Sequence, residues 1–313
     1  MLYVKDIHEG QHISQILLCR QKVTGTTKNG RTYYSLKLQD KTGQLDGKVW
    51  DLTNSIENFE SMDFILVEGD VINYNGSPQL NIRRIRKANP GEYDQKEYIP
   101  ASGLDIDKMY DELMWLINKV EHPKLRELLE SFFVKDEKFI AEFKLHSAAK
   151  AVHHGFMGGL LQHTLRVAQT CYFFSLQYQM LNRDLLLAAA IFHDIGKIRE
   201  LSDFPENDYT DEGQLVGHIV IGYGMVKARM EELGGFPEKL QNELLHCILS
   251  HQGKLEYGSP KMPSLMEAVA LYYADDADAK LEIMVEEFSK TASTEFLGVN
   301  RFLGTNIRKT SRE

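Results

Sequence analysis

Up to about residue 90 the chain runs in short apolar stretches broken by turn residues, with partial alternation of apolar and polar positions. Ile13 to Val23, Thr32 to Gln39, Gln44 to Trp50, Phe64 to Tyr74 and Gln79 to Lys87 are rich in β-branched and aromatic side chains, and each reads as a strand. Lys28-Asn29-Gly30, Asp40-Lys41-Thr42-Gly43 and Asn75-Gly76-Ser77-Pro78 supply turns, because Gly and Asn tolerate the backbone angles of a tight reversal. Thr53 to Glu60 reads as a short helix between the third and fourth strands. Residues 90–104 carry Pro90-Gly91, Pro100 and Ser102-Gly103 with few apolar positions, the composition of a linker. From about Leu104 the period changes. Tyr110, Leu113, Met114, Ile117 and Val120 recur at helical spacing behind the capping residues Asp105 and Asp107. Pro123 opens a second helix with Leu125, Leu128, Leu129 and Phe132 on one face, and Glu137 to Leu145 makes a third. These helices, over 105–150, carry no chemistry and read as a packing collar. Apolar helices continue over 151–290, and 291–313 is a tail.

Three strands, a helix and two strands make the order of a five-stranded OB-fold barrel, here over residues 1–89. The stretch Tyr33-Tyr34-Ser35-Leu36-Lys37-Leu38-Gln39-Asp40-Lys41-Thr42-Gly43 resembles the strand-turn stretch of nucleic-acid-binding OB-folds. Such barrels hold single strands by stacking bases on aromatic rings inside a basic groove. Tyr33 or Tyr34, Trp50 and Tyr74 are the stacking candidates, with Arg31, Lys37, Lys48, Arg83, Arg84 and Arg86 as the basic ones. Adjacent Tyr33 and Tyr34 point to opposite faces of a strand, so at most one of them meets a ligand. The expected fold is therefore multidomain β plus α, a barrel followed by an all-α bundle.

Composition narrows this picture. At 313 residues the chain can bury a sizeable core in each of two domains, and 43% hydrophobic with 26% charged residues is ordinary for a globular protein. No apolar run reaches the roughly 18 residues of a membrane span. Met1-Leu2-Tyr3-Val4-Lys5-Asp6 lacks the pattern of a signal peptide. Cys19, Cys171 and Cys247 lie far apart in apolar surroundings, as the reduced core thiols of a cytoplasmic protein do. A net charge of −9 argues against broad electrostatic binding to nucleic acid and leaves room for a local basic groove.

The chemistry concentrates where the apolar run Leu185 to Phe192 meets His193-Asp194-Ile195-Gly196-Lys197. Burying an imidazole and a carboxylate at the end of such a helix is costly unless a metal or a partner satisfies them. Such a pair suits a divalent metal. His and Asp recur in matching contexts: His163 one turn beyond Gly158-Gly159, His218 after Gly217, His246 in an apolar helix, His251 at its end, and Asp275 after Ala274. Each falls at the end or on the inner face of a separate helix, which is how helix bundles assemble metal sites. Asp278 shares a helix face with Asp275 and is placed to orient a ligand. His246 and His251 reach one metal together only if their helix ends between them. Lys197, about one turn beyond Asp194, is within reach of a substrate phosphate. His153 and His154 are candidates for lining a substrate entrance.

The order His163, His193-Asp194, Asp275 resembles the HD-domain phosphohydrolase superfamily, and the added His218, His246 and His251 resemble its multi-histidine, two-metal branch. An OB-fold ahead of such a domain resembles the YhaM family of 3′–5′ exoribonucleases. The stretches Gly158-Gly159-Leu160-Leu161-Gln162-His163-Thr164, Leu249 to Pro260 and Asp275 to Lys280 strengthen that resemblance. Gln252 departs from it, standing where related sites often carry a second His.

The resemblance implies an HD-domain helical bundle and a hydrolase that removes nucleotides from the 3′ end of single-stranded RNA, with single-stranded DNA as a further substrate. It implies manganese or a similar divalent ion, and iron, cobalt and zinc suit the same mixed ligands. His163, His193, Asp194 and Asp275 then hold one ion, and Asp194 bridges to a second held by His218 with His246, His251 or both. Two ions about 3.5–4 Å apart activate water and neutralise the phosphate. Asp194 and Lys197 are the expected catalytic residues. Tyr33, Trp50, Tyr74, Arg83, Arg84 and Arg86 are the expected strand-binding ones. Two alternatives compete: an HD phosphohydrolase of free or cyclic nucleotides, and a non-catalytic single-strand-binding replication factor. The collar and the paired domains also make self-association an expectation.

Overall fold

β1 (His12–Thr26) is long enough to pair along both of its edges. Its first half lies antiparallel to β4 (Phe64–Tyr74), its second half to β2 (Thr32–Asp40), and a register shift between Cys19 and Gln21 bends it between the two neighbours. β3 (Gly43–Val49) pairs with β2 and, in parallel, with β5 (Ser77–Lys87). The result is a closed barrel in the order β1-β2-β3-β5-β4. Leu17, Leu36, Leu38, Leu45, Val67 and Leu80 fill it, each on the inward side of its strand. At the β2–β3 turn the buried Asp40 carboxylate accepts from the backbone N–H groups of Val4, Thr42 and Gly43. The computed structural model describes residues 1–52, 55–99, 103–150 and 155–311.

Two features of this first unit differ from the sequence expectation. Thr53 and Asn54 lie outside the described residues, but Ser55 to Glu60 is not helical. β3 covers β5 only at Gln79 to Asn81, so the backbone of Ile85 has an open edge. Ile85 N–H donates to Ser55, Glu57 N–H donates back to Ile85, and Phe59 is buried in the barrel core. Pairing an open edge satisfies more backbone than an isolated helical turn would. The second difference concerns the linker. Tyr93 stacks on Phe64 at 4.0 Å, Tyr98 is buried, and the Tyr98 carbonyl accepts from Gln39 Nε2 at 3.0 Å. Residues 91–99 thus pack on the barrel, and the first unit runs to about residue 101.

The second unit is helical. α5 (Arg183–Phe192) is buried all round from Leu185 to Phe192, as a central helix must be. α2 (Pro123–Phe133), α4 (Gly159–Gln177), α9 (Glu238–Ser250) and α10 (Met266–Ser289) pack around it. α1 (Ile106–Ile117) and α3 (Glu137–Leu145) pack on α4. Phe132, Phe133, Phe139 and Phe143 join Phe192 in one core, so the collar helices are part of the bundle. After α5 come α6 (Lys197–Glu200), α7 (Asp211–Leu215) and α8 (His218–Leu233). The tail forms a short hairpin of β6 (Val299–Asn300) and β7 (Thr305–Asn306). Among the described residues no helix is long and apolar enough to cross a membrane.

Candidate functional site

α5 ends on His193, and α9 ends on His251. A helix C-terminus leaves carbonyls unpaired. His193 Nδ1 donates to the Ala190 carbonyl at 2.8 Å, and His251 Nδ1 donates to that of Ile248 at 2.7 Å. The other two imidazoles are fixed by carboxylates. His163 Nδ1 donates to Asp278 Oδ2 at 2.7 Å, and His218 Nδ1 donates to Glu200 Oε1 at 2.9 Å. All four rings therefore turn Nε2 inward, and the partner on Nδ1 sets the tautomer.

Asp194 stands between them. Its Oδ2 lies 3.4 Å from both His163 Nε2 and His193 Nε2, and Asp275 Oδ1 lies 3.1 Å from His163 Nε2. Its Oδ1 faces the other way, 3.4 Å from His218 Nε2 and 3.6 Å from His251 Nε2. Ligand bonds of about 2.0–2.2 Å put neighbouring donor atoms roughly 3.0–3.6 Å apart. The donor set fits a divalent metal on each side of one shared carboxylate. Asp194 Oδ1 and His218 Nε2 are buried and hydrogen-bonded to nothing described, which is costly for polar atoms with no ligand to meet.

Electrostatics agree with the geometry. Burial alone would drive His163 towards neutrality, but Asp194, Asp275 and Asp278 outweigh it and hold its pKa well above the usual value. Burial would likewise raise Asp194, yet Lys197 and the surrounding imidazoles keep it well below the carboxylate range. Asp275, also buried, is held down to about 2, first by its hydrogen bond with His163. The pocket stabilises positive charge beside its carboxylates, as a cation site does. Lys197 Nζ donates to Asp194 Oδ2 at 2.5 Å.

A close approach sets the register of this cluster. A Cβ on Gly196 would fall 2.0 Å from the His218 carbonyl oxygen, so the turn after Asp194 is pressed directly onto the start of α8. Any side chain there would push His218 away from Asp194.

The barrel carries a different kind of surface. Tyr33 stands 5.0 Å from Trp50, centroid to centroid, and Lys48 Nζ lies 5.2 Å over the Tyr33 ring. Trp50 is 43% exposed, so this pair is open to a ligand. Tyr34, on the opposite face, packs edge-on to Phe59 at 6.1 Å. Tyr74 is exposed and makes no ring contact with the pair among the described residues. The arginines of β5 meet acids: Arg83 Asp70, Arg84 Glu68, and Arg86 both oxygens of Glu92.

Comparison with known proteins separates the two units in the same way. Residues 160–280 match the HD domain model, and residues 20–88 match the OB-fold nucleic acid binding domain model. The 3′–5′ exoribonuclease YhaM of Listeria innocua is 36% identical over 293 residues, covering 93% of this chain and 92% of its own. That of Bacillus subtilis (strain 168) is 35% identical over the same shares. The chain belongs to the YhaM family. Among solved structures, the second OB-fold domain of replication protein A from Methanococcus maripaludis covers 29% of this chain and 94% of its own, at 19% identity and a TM-score of 0.21.

Within this YhaM family chain the structure brings together His163, His193, Asp194, His218, His251 and Asp275, with Lys197 and Asp278 in contact. It does not bring His246. α9 continues past that residue, and its ring turns outward to accept the Ser264 N–H at 2.9 Å. Gln252 Nε2 lies 3.4 Å from His251 Nε2 and lines the adjoining cavity. His153 and His154 lie outside the described residues. Glu200 was not singled out by sequence, because only the fold places α6 against the start of α8.

Proposed function

We propose that this YhaM family member is a metal-dependent 3′–5′ exoribonuclease that degrades single-stranded RNA, and single-stranded DNA, to nucleoside monophosphates. The observation that carries the reading is Asp194, whose two oxygens face two separate sets of inward imidazole nitrogens. Similarity to the YhaM exoribonucleases over nearly the whole chain supports it. A divalent ion bound there supplies an activated water and neutralises phosphate charge. His163, His193, Asp194 and Asp275 are the ligands on one side, and Asp194, His218 and His251 on the other. Asp278 and Glu200 hold two of the rings in place. Lys197 presents an ammonium to the phosphate oxygens. Mixed nitrogen and carboxylate donors favour manganese, with iron, cobalt and zinc as competitors.

In the barrel, Tyr33 and Trp50 stack bases and Lys48 supplies charge, a sequence-tolerant grip. Arg83, Arg84 and Arg86 contribute less, because each already faces an acid. The reduced, buried thiols of Cys19, Cys171 and Cys247 fit a cytoplasmic setting. Self-association of the chain would use the exposed apolar pair Leu281 and Val285, one helical turn apart on α10. Sedimentation of the wild type against Leu281→Glu tests it, and an unchanged mass would remove the idea.

The deciding experiment incubates 5′-labelled single-stranded RNA with the protein and manganese. A ladder shortening from the 3′ end is expected, absent with chelator. Cleavage confined to mononucleotides or cyclic dinucleotides would favour the small-nucleotide reading. Strand binding without cleavage in any divalent metal would favour the binding-factor reading.

A further inference from the structure

A cavity of about 300 Å³ opens beside the cluster and is bounded on one side by His163, His218 and Asp275. Its lining also includes three aromatic rings, those of Tyr209, Tyr257 and Tyr272. Hydrolysis of a phosphodiester gives these three rings no task. Tyr272 sits one helical turn before Asp275, and its ring is pressed on the backbone after His251-Gln252. A Cβ on Gly253 would lie 2.2 Å from that ring, and Gly253 has a φ of +74°. Only glycine fits there, so this wall is fixed against the ligand-bearing end of α9. Tyr257 stands at the other end of the same connection, 54% exposed, with Lys254 Nζ 5.0 Å from its ring centroid. Tyr209 is 45% exposed, with Lys150 Nζ 5.9 Å from its ring centroid.

Lys150 and Lys254 each also face an acid, Asp208 and Glu256, so the rings set the chemistry: two exposed and one half-buried, around a space the size of one nucleotide, they have the character of a base-stacking subsite. We infer that this cavity is the subsite for the 3′-terminal nucleotide, whose unpaired base stacks on the wall of Tyr257 and Tyr272 next to the cluster. The inference rests on the exonuclease reading and deepens it. Stacking uses the face of the base, so the subsite accepts all four bases. It rejects a terminal nucleotide that has no base or whose base is held in a duplex.

The test compares two 5′-labelled RNA oligonucleotides, one ending in adenosine and one in an abasic ribonucleotide, under single-turnover conditions with manganese. Wild type, Tyr257→Ala and Tyr257→Phe are assayed, with folding checked by thermal melting. Tyr257 lies in an exposed turn, so its truncation leaves the core intact. Wild type is expected to lose about 10–100-fold in kcat/KM on the abasic end. Tyr257→Ala should lose a similar factor on the adenosine end and little more on the abasic one, while Tyr257→Phe keeps the wild-type preference. Equal rates of wild type on both ends would overturn the subsite, as would an equal loss by Tyr257→Ala on both. Failure of wild type to shorten either strand in any divalent metal would instead overturn the exonuclease reading, and the subsite with it.

Discussion

On the barrel, Arg83, Arg84 and Arg86 meet Asp70, Glu68 and Glu92 at positions open to water. In the helical unit, His193, Asp194 and His251 are at most 1% exposed, and both imidazoles face the Asp194 carboxylate. Both are clusters of opposite charge, yet they carry different weight. Exposed ion pairs gain and cost little, so their presence says little about function. A buried polar cluster with two unpartnered atoms costs several kcal/mol unless something fills it. The buried cluster is therefore the part whose arrangement requires a ligand. On the barrel the informative feature is the uncovered ring pair Tyr33 and Trp50, since aromatic surface left in water is the costly thing there.

The largest expected effect falls on the buried side. Asp194→Ala removes the one carboxylate that both sets of imidazoles share. It should lower exonucleolytic turnover by about 10³-fold or more and leave strand binding by the barrel close to wild type. Metal content measured on the purified proteins should fall with it. Melting provides a readout free of activity. A metal that binds only the folded state at about 100 times its Kd stabilises it by about 2.7 kcal/mol. Manganese should therefore raise the melting temperature of wild type and not of Asp194→Ala. If both respond alike, the metal binds elsewhere.

The next effect falls on the barrel. Tyr33→Ala or Trp50→Ala should weaken single-strand binding by about 1–3 kcal/mol, the worth of one stacked base. Hydrolysis of a small phosphodiester that cannot reach the barrel should be unchanged. A parallel loss of both activities in well-folded variants would erase the division of labour between the units. An intermediate effect is expected at Glu200. Its carboxylate holds the ring and the backbone N–H of His218. Glu200→Gln keeps an oxygen able to accept, and should lower metal affinity by about 10–100-fold through a less well-oriented His218. Titration of the apoprotein with manganese measures this directly.

The difference between the two regions also explains what was legible in the sequence. The His193-Asp194 turn stood out because two polar residues end a fully apolar run, and the fold buries them as that pattern requires. The choice between His246 and His251 was not legible. The two lie five residues apart in one apolar stretch, and only the observed end of α9 at Ser250, with His251 Nδ1 on a terminal carbonyl, separates them. Glu200 was hidden because its partner lies 18 residues away and meets it through the Gly196 close approach. In the barrel the five strands were legible from alternation. The Tyr93 and Tyr98 strap was masked by neighbouring Pro and Gly. The Ser55 to Glu60 segment read as a helix because sequence does not show the open edge of β5 that it pairs with.

The smallest effect tests the reading of the barrel's charges most directly. Lys48 lies over Tyr33 and makes its described polar contact with the Ser35 hydroxyl, at 2.8 Å. Arg86 gives both terminal nitrogens to Glu92, whose carboxyl is held down to about 2 by that contact. A cation already spent on a carboxylate releases no counterion when a strand arrives. A cation beside the stacking rings does. Each phosphate contact on a single strand adds about 0.7 to the slope of log K against log salt. Lys48→Ala should therefore flatten that slope by about 0.7, whereas Arg86→Ala should leave it unchanged within error. If Arg86→Ala flattens the slope and Lys48→Ala does not, the strand crosses β5. The arginines would then exchange their acids for phosphates, and the ring pair on β2 and β3 would lose its place as the contact surface.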